Sequence, residues 1–139
     1  MARILSTTSQ IRVRYADTDQ MKAVYYAKYY EYFEQGRSDL LREIGMPYPE
    51  IEALGYFLPV VESHAKYYSA ARYDDLIDVK TIVREIPAAR IRIDYEIRRS
   101  GEEDILIDGY TVHSFVKADS GRPTRAPAAF IELLESKFS

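Results

Sequence analysis

Apolar and polar residues change their spacing several times along the chain, and each change marks an element. Ile11-Arg12-Val13-Arg14-Tyr15 alternates, the pattern of a strand with one buried face. Asp17-Thr18-Asp19-Gln20 ends it with turn-forming residues. From Tyr25 to Ile44 the period becomes helical: Tyr26, Tyr29, Tyr30, Phe33, Arg37, Leu40, Leu41 and Ile44 share one face. Lys28, Glu31, Glu34, Asp39 and Arg42 take the other face. Gly45 stands where a left-handed C-terminal cap belongs, and Pro47 and Pro49 block continuation. Strand-like runs then cover Val60 to Tyr68 and Leu76 to Glu85. A third alternates Ile91, Ile93, Tyr95 and Ile97 with Arg90, Arg92, Asp94, Glu96 and Arg98, and a fourth spans Ile105 to Val116. Tyr73-Asp74-Asp75, Ser100 to Asp104 and Ser120 to Pro123 supply turns, and Phe130 to Phe138 fits a short terminal helix.

This order predicts an α+β domain over residues 1–139, one antiparallel sheet with a single long helix on its face. Successive strands are expected to be neighbours. A sheet covered on one face, beside a tyrosine-rich helix, calls for a second subunit to complete the burial.

Composition then narrows the function. A chain of 139 residues holds one core and no second domain. Its net charge of −3 argues against binding nucleic acid by bulk charge. The absence of cysteine removes disulfides, thiolate metal sites and a Cys nucleophile, and fits a reducing, cytoplasmic compartment. No signal peptide is visible at the start, and no apolar stretch is long enough to span a membrane. Thirteen tyrosines against no tryptophan suit a half-wet ligand groove as well as a core, because each ring carries a polar tip.

Most common catalytic patterns are missing. There is no Gly-rich phosphate loop, no Gly-x-Ser-x-Gly elbow and no His-x-x-x-His zinc pattern. His64 and His113 lie within strands and read as packed or surface residues. No metal or other cofactor is expected. Carboxylates remain. Asp17 and Asp19 sit between the first strand and the long helix, and Ala23, Val24 and Tyr25 offer no side chain to cap that helix. Its first N–H groups are therefore expected to be unpaired. Such a positive end suits a carbonyl oxygen turning negative, and a facing carboxylate can attack that carbonyl or activate a water. A thioester fits this sparse equipment, since its leaving thiol has a pKa of about 8.5 and needs little general-acid help. On residues alone, however, Asp-Thr-Asp before a helix reads first as turn and capping chemistry.

The stretch Arg14-Tyr15-Ala16-Asp17-Thr18-Asp19-Gln20-Met21-Lys22-Ala23-Val24-Tyr25-Tyr26-Ala27-Lys28-Tyr29 resembles the signature of the 4-hydroxybenzoyl-CoA thioesterase family. The resemblance continues in Phe33 to Arg37, Pro59 to Glu62, Ala71 to Asp75 and Gly121 to Pro127, in the expected order. It implies a hot-dog fold, a five-stranded antiparallel sheet wrapped around a central helix, in homodimers or homotetramers with active sites between subunits. It implies hydrolysis of an acyl-CoA or related thioester. Asp19, the second carboxylate, would be the catalytic group, the backbone N–H of Tyr26 the oxyanion donor, and Tyr25 and Tyr29 neighbours of the acyl group. The family's glycine stands here as Lys22, so either the loop differs or Lys22 reaches toward the ligand; many relatives also carry His where Tyr26 stands. Coenzyme A would enter as part of the substrate, its phosphates needing cations. Arg90 and Arg92, on one face of a strand, are candidates, with Lys66 and Arg72 beside them; solvated strand faces explain these residues equally well. The alternative function is a non-catalytic acyl-thioester binding protein on the same fold.

Overall fold

In the computed structural model, which describes residues 4–138, the alternating runs pair into one sheet. The elements are β1 (Leu5–Arg12), α1 (Lys28–Glu43), α2 (Tyr48–Ala53), β2 (Tyr56–Phe57), β3 (Val60–Tyr67), β4 (Leu76–Val83), β5 (Arg90–Arg99), β6 (Ile105–Ser114), β7 (Val116–Lys117) and α3 (Ala128–Lys137). A 3-10 turn at Tyr15–Asp17 follows β1. The five long strands form an antiparallel sheet in the order β1-β4-β5-β6-β3, and β2 pairs with β7 apart from it.

Ile77, Val79, Ile91, Ile93, Tyr95 and Ile97 are buried, and α1 packs over the sheet with Tyr29, Tyr32, Phe33, Leu40 and Leu41. The Phe33 ring stacks on Tyr95 at 4.3 Å. This close approach depends on Gly36, because a Cβ there would collide with the Thr81 side chain on β4. The architecture is the expected α+β sheet around one long helix.

Three expectations are corrected and one, that of the prolines, is extended. β1 begins at Leu5 rather than Ile11 and ends at Arg12. Its inward residues Thr7 and Ser9 are buried but polar, so no apolar alternation marks them. α1 begins at Lys28, because the chain first makes a turn in which the Lys28 N–H bonds the Tyr25 carbonyl. Pro47 and Pro49 do not simply end the helix; they open α2, whose first turn needs no N–H from them. Finally, β3 and β4 are not neighbours. They emerge at the same end of the sheet, separated by β6 and β5, a gap of roughly 14 Å at normal strand spacing. Residues 68–75 cross it, held by Tyr68 and Ser69 N–H on Leu106 O and by Arg99 on Ala70 O.

The core also carries a polar chain. Arg37 donates to the Tyr95 hydroxyl, Tyr95 pairs with Thr111 Oγ1 at 2.7 Å, and His113 bonds Thr111 Oγ1 and Leu58 O. Burial pushes His113 down to about 4; the Leu58 carbonyl opposes this and the Arg37 charge reinforces it. An unfolded histidine titrates near 6.5. The unfolded chain therefore takes the proton first as pH drops, and stability should fall between about 6.5 and 4. The full loss is on the order of 3 kcal/mol. Urea midpoints across that pH range, compared with His113→Gln, measure it; an unchanged slope in the variant contradicts this role.

Candidate functional site

The segment between β1 and α1 folds into a small hairpin whose two carboxylates have separate environments. Thr18 bridges Val24, Asp19 N–H bonds Ala23 O at 2.8 Å, and Tyr25 N–H bonds Asp17 O at 3.0 Å. The crossing segment pins this hairpin from outside. Val24 N–H bonds Ala71 O, Ala23 bridges Arg72, and Tyr73 N–H bonds Lys22 O.

Asp17 is 3% exposed. Its carboxylate accepts from Arg14 N–H, the Arg14 guanidinium and the Tyr32 hydroxyl, and lies 3.4 Å from Lys28 Nζ. Burial alone would raise its pKa, but these donors together outweigh it and hold the group below the ordinary carboxylate range. The same carboxylate, with burial, keeps Tyr32 protonated. Asp17 thus acts as a structural anchor for the helix start.

Asp19 is exposed. Its Oδ1 accepts from Met21 N–H at 2.8 Å and Ala23 N–H at 3.2 Å, which fixes the carboxylate on its own turn. Among the described residues, Oδ2 has no partner. The helix beyond has Ala27 at its N-cap with no side-chain cap, as the sequence predicts. No acceptor among the described residues takes the N–H of Tyr26 or Ala27. A carboxylate with a free oxygen and an unpaired pair of amides therefore flank one hairpin. That pairing can supply the nucleophilic and the oxyanion-binding halves of acyl transfer.

Lys22 has φ of 63°, so it adopts the left-handed shape a glycine would take. Lysine carries the strain of that conformation here. A non-glycine residue pays about 1–2 kcal/mol for this conformation, partly offset by the extra unfolded-state freedom of glycine. Lys22→Gly should therefore raise stability by about 0.5–1 kcal/mol, read as an upward shift of the thermal midpoint.

The remaining candidates divide by place. Tyr25 and Tyr26 lie exposed at the helix start, their rings 4.8 Å apart. Tyr29 is buried beneath them, and its hydroxyl accepts the Ala71 N–H. Lys66 on β3 lies over the ring of Tyr68, just past the strand's end, and Arg72 adjoins the hairpin. Arg90 and Arg92 lie elsewhere. With Arg84, which sequence reasoning passed over, they line a cavity of about 540 Å³ near the Ser114 end of β6. Arg92 also covers the Tyr110 ring at 3.9 Å. Arg90 and Arg99 mark opposite ends of β5, roughly 30 Å of strand apart. Since Arg99 bonds the crossing segment that pins the hairpin, one subunit keeps these arginines far from Asp19. Among the described residues, no cluster of His, Asp and Glu is placed to hold a metal ion, and no helix is long and apolar enough to cross a membrane.

A profile of the thioesterase-like superfamily matches residues 13–134. YneP of Bacillus subtilis is 31% identical over 121 residues, covering 87% of each chain. The acyl-CoA thioesterase YbgC of Haemophilus influenzae is 34% identical over 91 residues, covering 65% of this chain and 67% of that one. Among solved structures, a DHNA-CoA thioesterase from Staphylococcus aureus superposes with a TM-score of 0.87 at 28% identity, covering 94% of this chain and 89% of that one.

Proposed function

Because the chain belongs to the thioesterase-like superfamily and is a thioester hydrolase of the hot-dog fold, we propose that it hydrolyses an acyl-CoA at the Asp19 hairpin. The observation that carries this is the asymmetry between the two carboxylates. Asp17 is buried with its donors already engaged, whereas, among the described residues, Asp19 keeps one oxygen free and the Tyr26 and Ala27 amides of the same segment lack an acceptor. Water and the thioester are converted to a free acid and a thiol. The Asp19 carboxylate attacks the carbonyl carbon or takes a proton from the attacking water. The carbonyl oxygen turns negative against the Tyr26 N–H, where the helix end favours that charge. The carbon–sulfur bond then breaks and coenzyme A leaves as a thiolate; where Asp19 is the attacking group, water next hydrolyses the acyl–Asp19 anhydride, which frees the acid and restores the carboxylate. Tyr25 and the wall formed by Tyr29 border the acyl group, and Lys22 and Arg72 stand at the rim.

The distant arginines acquire a role if two chains pair through β3. This edge strand is exposed, with Val60, Val61, Tyr67 and Tyr68 each more than two-fifths accessible. Val60 pairs with His113 at the Arg90 end of the sheet, and Tyr67 with Ile107 at the Asp19 end. Antiparallel pairing of two β3 edges about a two-fold axis therefore sets one chain's Arg90 end beside its partner's Asp19 end. Arg84, Arg90 and Arg92 then hold the coenzyme A phosphates of the neighbouring site, with Lys66 along the path. The homodimer is the functional unit in this reading.

Thiol release from a panel of aromatic and aliphatic acyl-CoAs tests the assignment. Turnover of at least one by wild type, lost almost entirely in Asp19→Asn, is the expected outcome. Tight acyl-CoA binding without turnover would identify a binding protein instead.

A further inference from the structure

Tyr26 sits between two peptide planes, and each plane is fixed by a hydrogen bond to its carbonyl. The preceding plane is held within the turn, where Tyr25 O accepts the Lys28 N–H at 2.8 Å. The following plane is held from another element: Tyr26 O accepts the Tyr67 hydroxyl at 3.2 Å, across 41 residues of sequence. A trans peptide is rigid and planar, so fixing its carbonyl also fixes its N–H. The plane that Tyr67 grips carries the Ala27 N–H, and together the two planes set φ and ψ at Tyr26.

The Tyr67 side chain is itself braced. Its ring packs on Tyr29 at 5.6 Å, and Tyr29 is buried with its hydroxyl bonded to Ala71 N–H. Tyr29 meets the Tyr32 ring edge-on at 5.9 Å, and Tyr32 donates to Asp17 at 2.9 Å. An aromatic brace therefore runs from the β3 edge to the anchored carboxylate, and among the described residues its one direct bond to the Tyr26 backbone is the Tyr67 hydroxyl.

Resting on the hydrolysis proposed above, we infer that Tyr67 is a positioning residue for that reaction, orienting the amides at the start of α1 toward the developing oxyanion. Oxyanion donors contribute through their preset direction, and a loosened donor must reorganise as charge develops. Tyr67 touches no reacting atom in this role, so substrate affinity is untouched.

Tyr67→Phe keeps the ring stack and removes the bond. It should lower kcat about 10-fold, a fraction of what losing a whole donor costs. KM, the thermal midpoint, and the Kd of a thioether acyl-CoA analogue lacking the carbonyl should stay within about two-fold or unchanged. Tyr67→Leu, which also removes the ring, should match that kcat loss and lower the midpoint as well. Wild-type kcat in Tyr67→Phe overturns the inference while leaving the Asp19 assignment intact. A raised KM or weakened analogue binding at unchanged kcat also overturns it, by showing a binding role. Absence of thioester hydrolysis in the wild type overturns both.

Discussion

Replacing Asp19 with asparagine should lower kcat by about 10³-fold, or about 4 kcal/mol of transition-state stabilisation, with little change in thermal midpoint. The side chain is exposed and its Oδ1 bonds to Met21 and Ala23 can be kept by the amide oxygen, so the hairpin holds its shape. What disappears is the negative charge and the free oxygen that attack or activate water. Asp17→Asn should show the opposite balance. It replaces a buried carboxylate gripped by Arg14, Lys28 and Tyr32, so the midpoint falls and turnover falls only as far as the hairpin loosens. Steady-state kinetics alongside thermal melts of both variants separate the two roles. Equal turnover by wild type and Asp19→Asn refutes the assignment, and a larger kinetic loss in a fully stable Asp17→Asn transfers it to the other carboxylate.

Placing glutamate at both Val60 and Val61 should convert the protein to monomers with turnover reduced at least 100-fold. Charge on an edge strand opposes pairing with another edge, and these two residues lie on the exposed outer strand of the sheet. The monomer retains Asp19 and its hairpin but loses the arginines that the proposed dimer supplies from across its axis. Sedimentation velocity reads the assembly and thiol release reads the activity. A complementation test is sharper. Asp19→Asn subunits are inactive, and Arg90→Ala/Arg92→Ala subunits should bind substrate poorly. Mixed after partial unfolding and refolding, they should form heterodimers with one intact site, recovering activity toward half of wild type per heterodimer. Recovery would place the arginines in trans. No recovery in heterodimers of demonstrated composition would refute their contribution to the neighbouring subunit's site.

The sequence made α1 readable because its buried side is a row of large apolar and aromatic residues at helical spacing, and β5 readable because isoleucines alternate with charges. It concealed the first half of β1, where Thr7 and Ser9 occupy buried positions, with Ser9 bonded to Asp39. The order of strands was also concealed. Whether β3 joins β4 or steps past two strands depends on pairing between distant residues, and the Ala70-Ala71 crossing carries no local mark of it. At the site, the residues located both carboxylates and the uncapped helix start, and the family resemblance chose Asp19 over Asp17; the physical difference between them, burial, is a tertiary property that only the fold displays. Lys22 is a similar case. Its residue type suggested a changed loop or a reach toward the ligand, but no sequence pattern disclosed that it takes a left-handed turn position, at a cost of about 1–2 kcal/mol, within the hydrogen bonds that hold that turn. Tyr67 gave no signal at all, because its bond reaches another element and its neighbour Tyr68 looks the same in sequence.

The stepped connection between β3 and β4 has a consequence for biosynthesis. β1 waits for β4, and β3 waits for β6, each partner dozens of residues downstream. A chain growing from its N-terminus at roughly 5–20 residues per second therefore releases β1, α1 and β3 before any of the sheet's pairings can close. Loop-closure entropy must be spent before those distant contacts return stability. The Asp19 hairpin is clamped by the crossing segment, so it gains its working shape only near the end of this sequence of events. Until then the Val60-Val61 edge is exposed as an unpaired adhesive strand, and nascent chains on neighbouring ribosomes would meet through the same surface that we propose pairs the finished subunits.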